Sequence, residues 1–222
     1  MPASQPMSKA RLYDLIAASP LIIFYVFAIA GFVLQIHSDF QHELTFLRVL
    51  PICARITSAI FAALQVFLFI VRRPPIAKAK GWWPRIVAVI GANSALLFFL
   101  LPSGSPATIL SLMSFLFTTG GTVASIVILS HLGRSFSITP QARELIISGP
   151  YRLIRHPLYL AEQVSCFGIM WQYKQPWALL VFVIGLMSQF PRMQFEEQVL
   201  ASAFPAYRAY LGRTARLIPG IY

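Results

Sequence analysis

The residues of this chain best suited to chemistry fall into two short blocks. The first is Gly149-Pro150-Tyr151-Arg152-Leu153-Ile154-Arg155-His156-Pro157-Leu158-Tyr159. It offers guanidinium donors, a ring nitrogen and aromatic faces, and its Gly-Pro and His-Pro steps exclude one continuous helix. The second is Arg192 with Glu196 and Glu197. A helix carries Arg192 and Glu196 on one face, where by themselves they would read as an interfacial ion pair on a solvated helix end. Brought together, the two blocks would set a fork-shaped cation and carboxylates against rings and donors, a combination that can hold and orient a charged ligand.

The chain between the blocks must bring them together. Residues 159–171 and 177–190 are apolar, and each run is short for a crossing. Together they read as a tight helical hairpin turning at residues 172–176, with the second arm continuing past Phe190 into the water layer. A single broken segment is the competing reading. The hairpin returns Arg192, Glu196 and Glu197 to the membrane face that holds Tyr151, His156 and Tyr159. Convergence therefore follows from topology.

The rest of the chain supports a membrane setting. Of 222 residues, 57% are hydrophobic and only 11% charged, with mean hydropathy +0.69. Soluble domains carry about 25% charged residues, so an ordinary soluble fold is excluded, and the richness in aromatic and aliphatic residues excludes disorder. Further apolar runs at residues 15–36, 50–71, 86–101 and 108–129 suit spanning helices. The first run follows Lys9 and Arg11 and contains Ala28-Ile29-Ala30, as a signal peptide would. It continues too far for one and is read as a span.

The net charge is +11. In a soluble protein that excess would suggest nucleic acid. With the N-terminus inside, only Arg48, Arg55 and Lys174 of the 18 Lys and Arg fall on the outer side. That is the positive-inside bias, so no nucleic-acid partner is expected and both termini are placed in the cytoplasm. The basic loop at residues 72–85 is expected to lie against anionic headgroups. Trp82, Trp83, Trp171, Tyr173 and Trp177 fall at the expected interfaces.

Several polar residues in or beside the apolar runs read as structural. Cys53 and Cys166 are packing residues. Arg55 snorkels to the interface, Asn93 and Gln65 join helices, and Gly120-Gly121 marks a close-packing or flexing point rather than a phosphate loop. His37, His42, Asp39 and Glu43 read as solvated loop residues, and no metal site is expected.

The two blocks resemble the Arg-His-Pro…Glu-Glu signature of membrane methyltransferases, most nearly the isoprenylcysteine carboxyl methyltransferase family, with phospholipid N-methyltransferases as relatives. Phe204-Pro205-Ala206-Tyr207-Arg208-Ala209-Tyr210 and Arg216-Leu217-Ile218-Pro219-Gly220 resemble that family's C-terminus. The resemblance covers residues 132–222. It departs from the family at Ala161, where glycine is frequent, and at Pro205, where Phe-Gly is common.

The resemblance implies S-adenosylmethionine as cofactor, held on the cytoplasmic side. It implies cofactor contacts for Arg143, Glu144, Leu145 and Ile146, for Tyr151, and for His156, Pro157, Leu158, Tyr159 and Glu196. Arg192 would face the methyl acceptor, and Arg192 and Glu196 would be the catalytic pair. A carboxylate acceptor needs no base, since its reference pKa is about 4, and a guanidinium suits its geometry. An amine acceptor would need Glu197 or Tyr159 as base. A nicotinamide-dependent membrane reductase and a non-catalytic scaffold are the readings from other classes.

The expectation is thus an all-α, polytopic membrane helical bundle of five or six transmembrane helices in one membrane domain, residues 1–222. Residues 1–130 form its four-helix N-terminal part and residues 131–222 a catalytic, cofactor-binding part with the hairpin. It transfers methyl from S-adenosylmethionine to a lipophilic or prenylated acceptor in the lipid bilayer, in a bacterial plasma membrane.

Overall fold

The computed structural model describes residues 9–41, 43, 45–104 and 107–220, apart from the side chains of Leu47 and Phe99. In chain order the helices are α1 (Lys9–Phe40), α2 (Phe46–Val71), α3 (Trp83–Ala92), α4 (Thr108–Leu132), α5 (Pro157–Met170), α6 (Trp177–Ala203) and α7 (Pro205–Leu211). Two short strands, β1 (Ala77–Lys78) and β2 (Gln141–Ala142), pair antiparallel. The fold is an all-α membrane bundle.

α1, α2, α4 and α6 are each long and apolar enough to cross a bilayer. α4 has 25 residues and rises roughly 37 Å, more than the ~30 Å of hydrocarbon. The run at residues 86–101 is not the continuous helix expected. α3 stops at Asn93, and Ser94–Leu100 forms a 3-10 helix. Asn93 is the physical cause: its side-chain amide bonds back to the Val89 carbonyl at 2.8 Å, a local alternative to the helical ladder that hydropathy does not register. The two pieces together still rise roughly 29 Å. α5 has 14 residues, and α6 follows it after the turn at residues 171–176. α6 runs on past Phe190 to Ala203.

α1 packs on α2, α2 on α4, α4 on α5, α5 on α6, and α6 on α3. The Tyr25 hydroxyl donates to Asn93 at 3.3 Å and joins α1 to the end of α3. The main apolar cluster gathers Tyr25, Phe69, Leu129, Phe136 and Leu158 from both halves of the chain.

The α4–α5 contact is the tightest. Lipid offers no hydrophobic gain for joining two helices, so small residues and interhelical hydrogen bonds must do it. A Cβ on Gly121 would overlap the Ser165 backbone, and one on Gly168 would overlap Thr118. Between them Thr122 and Ser165 share a hydrogen bond of 2.9 Å, and Gln172 donates to Ser114 at 2.9 Å. Gly121 is thus a close-packing position, whereas Gly120 faces open space. Arg55, expected to reach toward the interface, pairs with Asp39 near the end of α1. His37 contacts Gln41; His42 lies outside the described residues.

A buried ionic cluster ties α1 and α2 to the loop that follows α4. Asp14 of α1 is 6% exposed and accepts from Arg72 Nε at 2.8 Å and from both terminal nitrogens of Arg143, at 3.0 and 2.9 Å. Arg143 also donates to Gln141 at 2.6 Å and to the Arg73 carbonyl. Burial and the neighbouring Arg143 lower the Arg72 pKa to about 10, so Arg72 remains cationic at neutral pH. β1 and β2 stitch the same two segments by main-chain bonds, with Ile76 N donating to Ala142 O at 2.8 Å and Arg73 N to Arg134 O at 3.0 Å.

Two outcomes follow. Gly121→Leu forces α4 from α5 and costs about 3 kcal/mol or more, the upper end of overpacking, while Gly120→Ala is neutral; thermal unfolding in detergent separates them. Asp14→Asn leaves two buried guanidiniums without a counter-charge and destabilises by roughly 3–5 kcal/mol, read as a large fall in the same transition.

Candidate active site

The segment between α4 and α5 is shaped by its turns. Gly133 and Gly149 have φ of 53° and 57°, a region open to glycine at little steric cost. A Cβ on Gly149 would also overlap the His131 ring. Pro150 then opens a 3-10 turn that carries Tyr151. His156 is the residue before α5, whose first position is Pro157, where a missing N–H costs nothing.

The C-terminal segment docks on this turn. Arg155 N donates to Ala215 O at 2.8 Å, and His156 N to Arg216 O at 3.1 Å. The Tyr210 hydroxyl of α7 donates to the Tyr151 carbonyl. Glu197 of α6 is the ionic centre of the docking. It lies 3.1 Å from His156 Nε2 and 3.2 Å from Arg155 Nε, and accepts from Arg216 at 3.0 and 2.6 Å. A carboxylate so engaged holds the two blocks together and is not a spare base.

One turn earlier on α6 the arrangement differs. Arg192 and Glu196, which by themselves would read as an ion pair, do not pair among the described residues. Tyr159 stands between them: its hydroxyl donates to Glu196 at 2.6 Å, and the Arg192 guanidinium lies over its ring, 4.4 Å from the centroid. The His156 ring stacks on Tyr159 at 5.1 Å. Arg192 is 3% exposed, donates to Gln189 at 2.6 Å, and its Nε has no hydrogen-bond partner. α3 makes room for it, since a Cβ on Gly91 would overlap the Arg192 side chain.

Beside this arrangement lies a narrow cavity of about 50 Å³, smaller than the ~300–1,000 Å³ of open small-molecule sites. Arg143, Glu144, Leu145, Ile146, Tyr151, His156 and Glu196 line it. The structure thus gathers most of the residues singled out in the sequence. Arg143 contributes there with its guanidinium already turned to Asp14 and Gln141, and Glu144 pairs with Arg73 at 2.7 Å. Pro157, Leu158, Tyr159 and Arg192 are not in the lining. Pro157 starts α5, and Leu158 is in the apolar cluster. Tyr159 and Arg192 sit behind Glu196. The sequence reading missed Ser135, Ser137, Gln141, Leu200, Tyr207 and Tyr210, which with Leu132 and Arg155 complete the wall. Burial holds the Tyr151 and Tyr207 hydroxyls far above the usual phenol range and pushes Tyr210 up to about 12. All three stay neutral and serve as rings and donors. Glu162 of α5 was also missed, although an ionisable residue in an apolar run is itself a signal.

Over 78 residues the chain is 37% identical to the cobalt-zinc-cadmium resistance protein CzcN of Cupriavidus metallidurans. The match covers 34% of this chain and 35% of that protein, so the chain spans about a third of the length of that curated relative. Residues 105–206, just under half of the chain, match the phospholipid methyltransferase family. That stretch includes α4, α5, α6, and Tyr151, His156, Tyr159, Arg192 and Glu196. The chain is an integral membrane protein, with four helices long and apolar enough to cross a bilayer, and over this stretch it is similar to the phospholipid methyltransferase family, which includes enzymes of the isoprenylcysteine carboxyl methyltransferase type.

Proposed function

We propose that this enzyme transfers a methyl group from S-adenosylmethionine to a carboxylate on a lipophilic, membrane-borne acceptor of the isoprenylcysteine type. The observation that carries the reading is Arg192. A buried guanidinium is costly to leave without a counter-anion, yet among the described residues Arg192 makes no ion pair. An acceptor carboxylate would supply the missing charge and accept from the idle Nε in a planar fork.

The cavity fits the cofactor in kind. Its Glu196 carboxylate suits a cationic ligand, the Ser135 and Ser137 hydroxyls suit polar edges, and Leu145, Ile146, Leu200 and the tyrosines suit a flat apolar ring. S-adenosylmethionine, when bound, supplies a methyl group on a sulfonium, already a good leaving group. The chain's task is therefore positioning and field. Glu196, fixed by Tyr159, presents negative charge to the cavity. Arg192 orients the acceptor from the other side of Tyr159. No general base is needed, because a carboxylate is ionised at neutral pH. Glu197 keeps the two blocks in register. The Lys and Arg bias supports a cytoplasmic setting for this end of the bundle and for both termini, and a bacterial plasma membrane belongs to the same reading. Residues 131–222 carry the site, and residues 1–130 act as membrane support.

Calorimetric titration of detergent-purified protein with S-adenosylhomocysteine tests the cofactor. The wild type binds, and Glu196→Ala weakens binding by on the order of tenfold or more, as loss of a charge-assisted hydrogen bond would. Arg192→Ala keeps that affinity but lowers kcat/KM for a prenylated carboxylate on the order of 100-fold or more. The product releases methanol on base treatment, as an ester does. No binding by folded wild-type protein would end the proposal.

A further inference from the structure

Three helix ends meet on one side of the bundle: the start of α1, the end of α2 and the end of α4. Between them runs an open groove of about 620 Å³, in the size range of small-molecule sites. Its floor is apolar and comes from α2, with Leu64, Phe67, Leu68 and Val71. Leu68 is buried, whereas Phe67 is 56% exposed on the face of a spanning helix. These residues cover two turns, roughly 10 Å of depth, so the groove runs from the helix ends down the lipid-facing side of the bundle.

Its mouth is cationic. Arg11, in the first turn of α1, and Arg134, two residues past α4, both line it, together with Ser130 of the last turn of α4. The backbone sets Arg134 there. Gly133 turns the chain out of α4 at φ 53° and leaves open space where a side chain would stand. Arg134 Nε then donates to the Val71 carbonyl at 3.0 Å, and the Arg134 carbonyl accepts from Arg73 N at 3.0 Å. Its terminal nitrogens have no hydrogen-bond partner among the described residues. The nearest acidic residues in the chain are engaged elsewhere, Asp14 with Arg72 and Arg143, and Glu144 with Arg73. No carboxylate lines the groove among the described residues.

Two guanidiniums above an apolar trough, at the level of the helix ends, match an amphiphile with an anionic phosphate and a hydrocarbon tail. A wholly apolar ligand would leave the cations without a counter-charge. A second copy seated by two-fold symmetry would bring the same cations against each other. The groove is also distinct from the cavity beside Glu196. Ser130, Gly133 and Arg134 line the groove, Leu132 and Ser135 of the same turn line the cavity, and the two have no residue in common.

We infer that this groove binds one anionic phospholipid, with its phosphate on Arg11 and Arg134 and one acyl chain along Phe67, as a bound ligand and not as the methyl acceptor. A zwitterionic lipid presents the same phosphate but carries its own cation, which the two arginines repel, so the site discriminates by headgroup.

Native mass spectrometry of the full chain, after incubation in detergent with equal amounts of phosphatidylglycerol and phosphatidylcholine of identical acyl chains, tests the site. The wild type retains one phosphatidylglycerol in preference to phosphatidylcholine by on the order of tenfold or more. Arg11→Gln together with Arg134→Gln abolishes the preference. Arg11→Gln alone, at an exposed position that spares the contact of Arg134 with Val71, reduces it. Leu64→Trp fills the floor without touching either charge and lowers retention of phosphatidylglycerol. Lys78→Gln together with Lys80→Gln removes two exposed cations between α2 and α3 and leaves the preference intact. Thermal unfolding in lipid-free detergent confirms that each variant is folded. Equal retention of the two lipids by the wild type overturns the inference. So does an equal loss of preference in the two double variants, which marks diffuse attraction to a basic surface, and so does a lipid-free dimer, which gives the groove to a second copy. Methylation of the retained lipid on addition of S-adenosylmethionine makes it an acceptor and overturns the inference as well.

Discussion

Two opposite charges one turn apart on a helix in a largely buried setting should collapse onto each other. The medium screens them poorly, and each removes the other's need for any further partner. In this bundle Tyr159 prevents that collapse between Arg192 and Glu196 by giving each a different part of itself. Its hydroxyl takes the carboxylate and its ring face takes the guanidinium, a cation–π contact strengthened by desolvation. Glu196 is then free to face the cavity, while Arg192 stays on the ring face of Tyr159. The remaining architecture serves to place one tyrosine. Pro157 starts α5, the His156 ring supports the tyrosine from below, and the small residues of α4 and α5 fix the depth of the helix.

Two carboxylates hold this placement from a distance, and each binds more than one cation. Glu197 gathers Arg155, His156 and Arg216 and so locks the loop, α6 and the C-terminal segment into one unit. Asp14 gathers Arg72 and Arg143 and so locks that unit's outer loop to α1 and α2. Part of the basic excess of the chain is thus spent internally. Arginine serves here better than lysine, since one fork can meet a carboxylate, an amide and a carbonyl together, as Arg143 does. The first helix is consequently part of the site's support, although it contributes nothing to the cavity lining.

The hairpin was legible because run length and a polar turn are properties of composition. The meeting of its two ends followed from counting crossings, and Gly121 followed from the demands of helix packing in lipid. Other features depend on single side chains that pattern does not reach. Asn93 breaks an apolar run by bonding its own backbone. Arg143 matched a family position by motif, yet its guanidinium is held by Asp14, 129 residues away, and no local spacing announces that pair. Tyr207 and Tyr210 stood in a stretch noted for its resemblance, but their place in the wall depends on where α7 docks. Arg192 and Glu196 were readable as neighbours on one face. Their separation was not, because it depends on a third residue from another helix.

That separation is also what a reaction between a lipid-borne acceptor and a water-soluble donor requires. In-line displacement needs the attacking and leaving atoms on opposite sides of the transferred group, held close and aligned. An ion pair between Arg192 and Glu196 would fill the space where the partners must meet and leave neither charge for a ligand. With Tyr159 between them, the charge that suits a cationic donor faces the cavity, and the charge that suits an anionic acceptor lies deeper in the bundle. The geometry then assigns each partner its own side, and α3 matters for the same reason: Gly91 gives the Arg192 side chain the room to stay on its side. On the proposed reaction, selectivity for the acceptor is settled behind Tyr159, among residues that do not line the cavity, so the acceptor can change through evolution of α3 and α5 without disturbing the cavity.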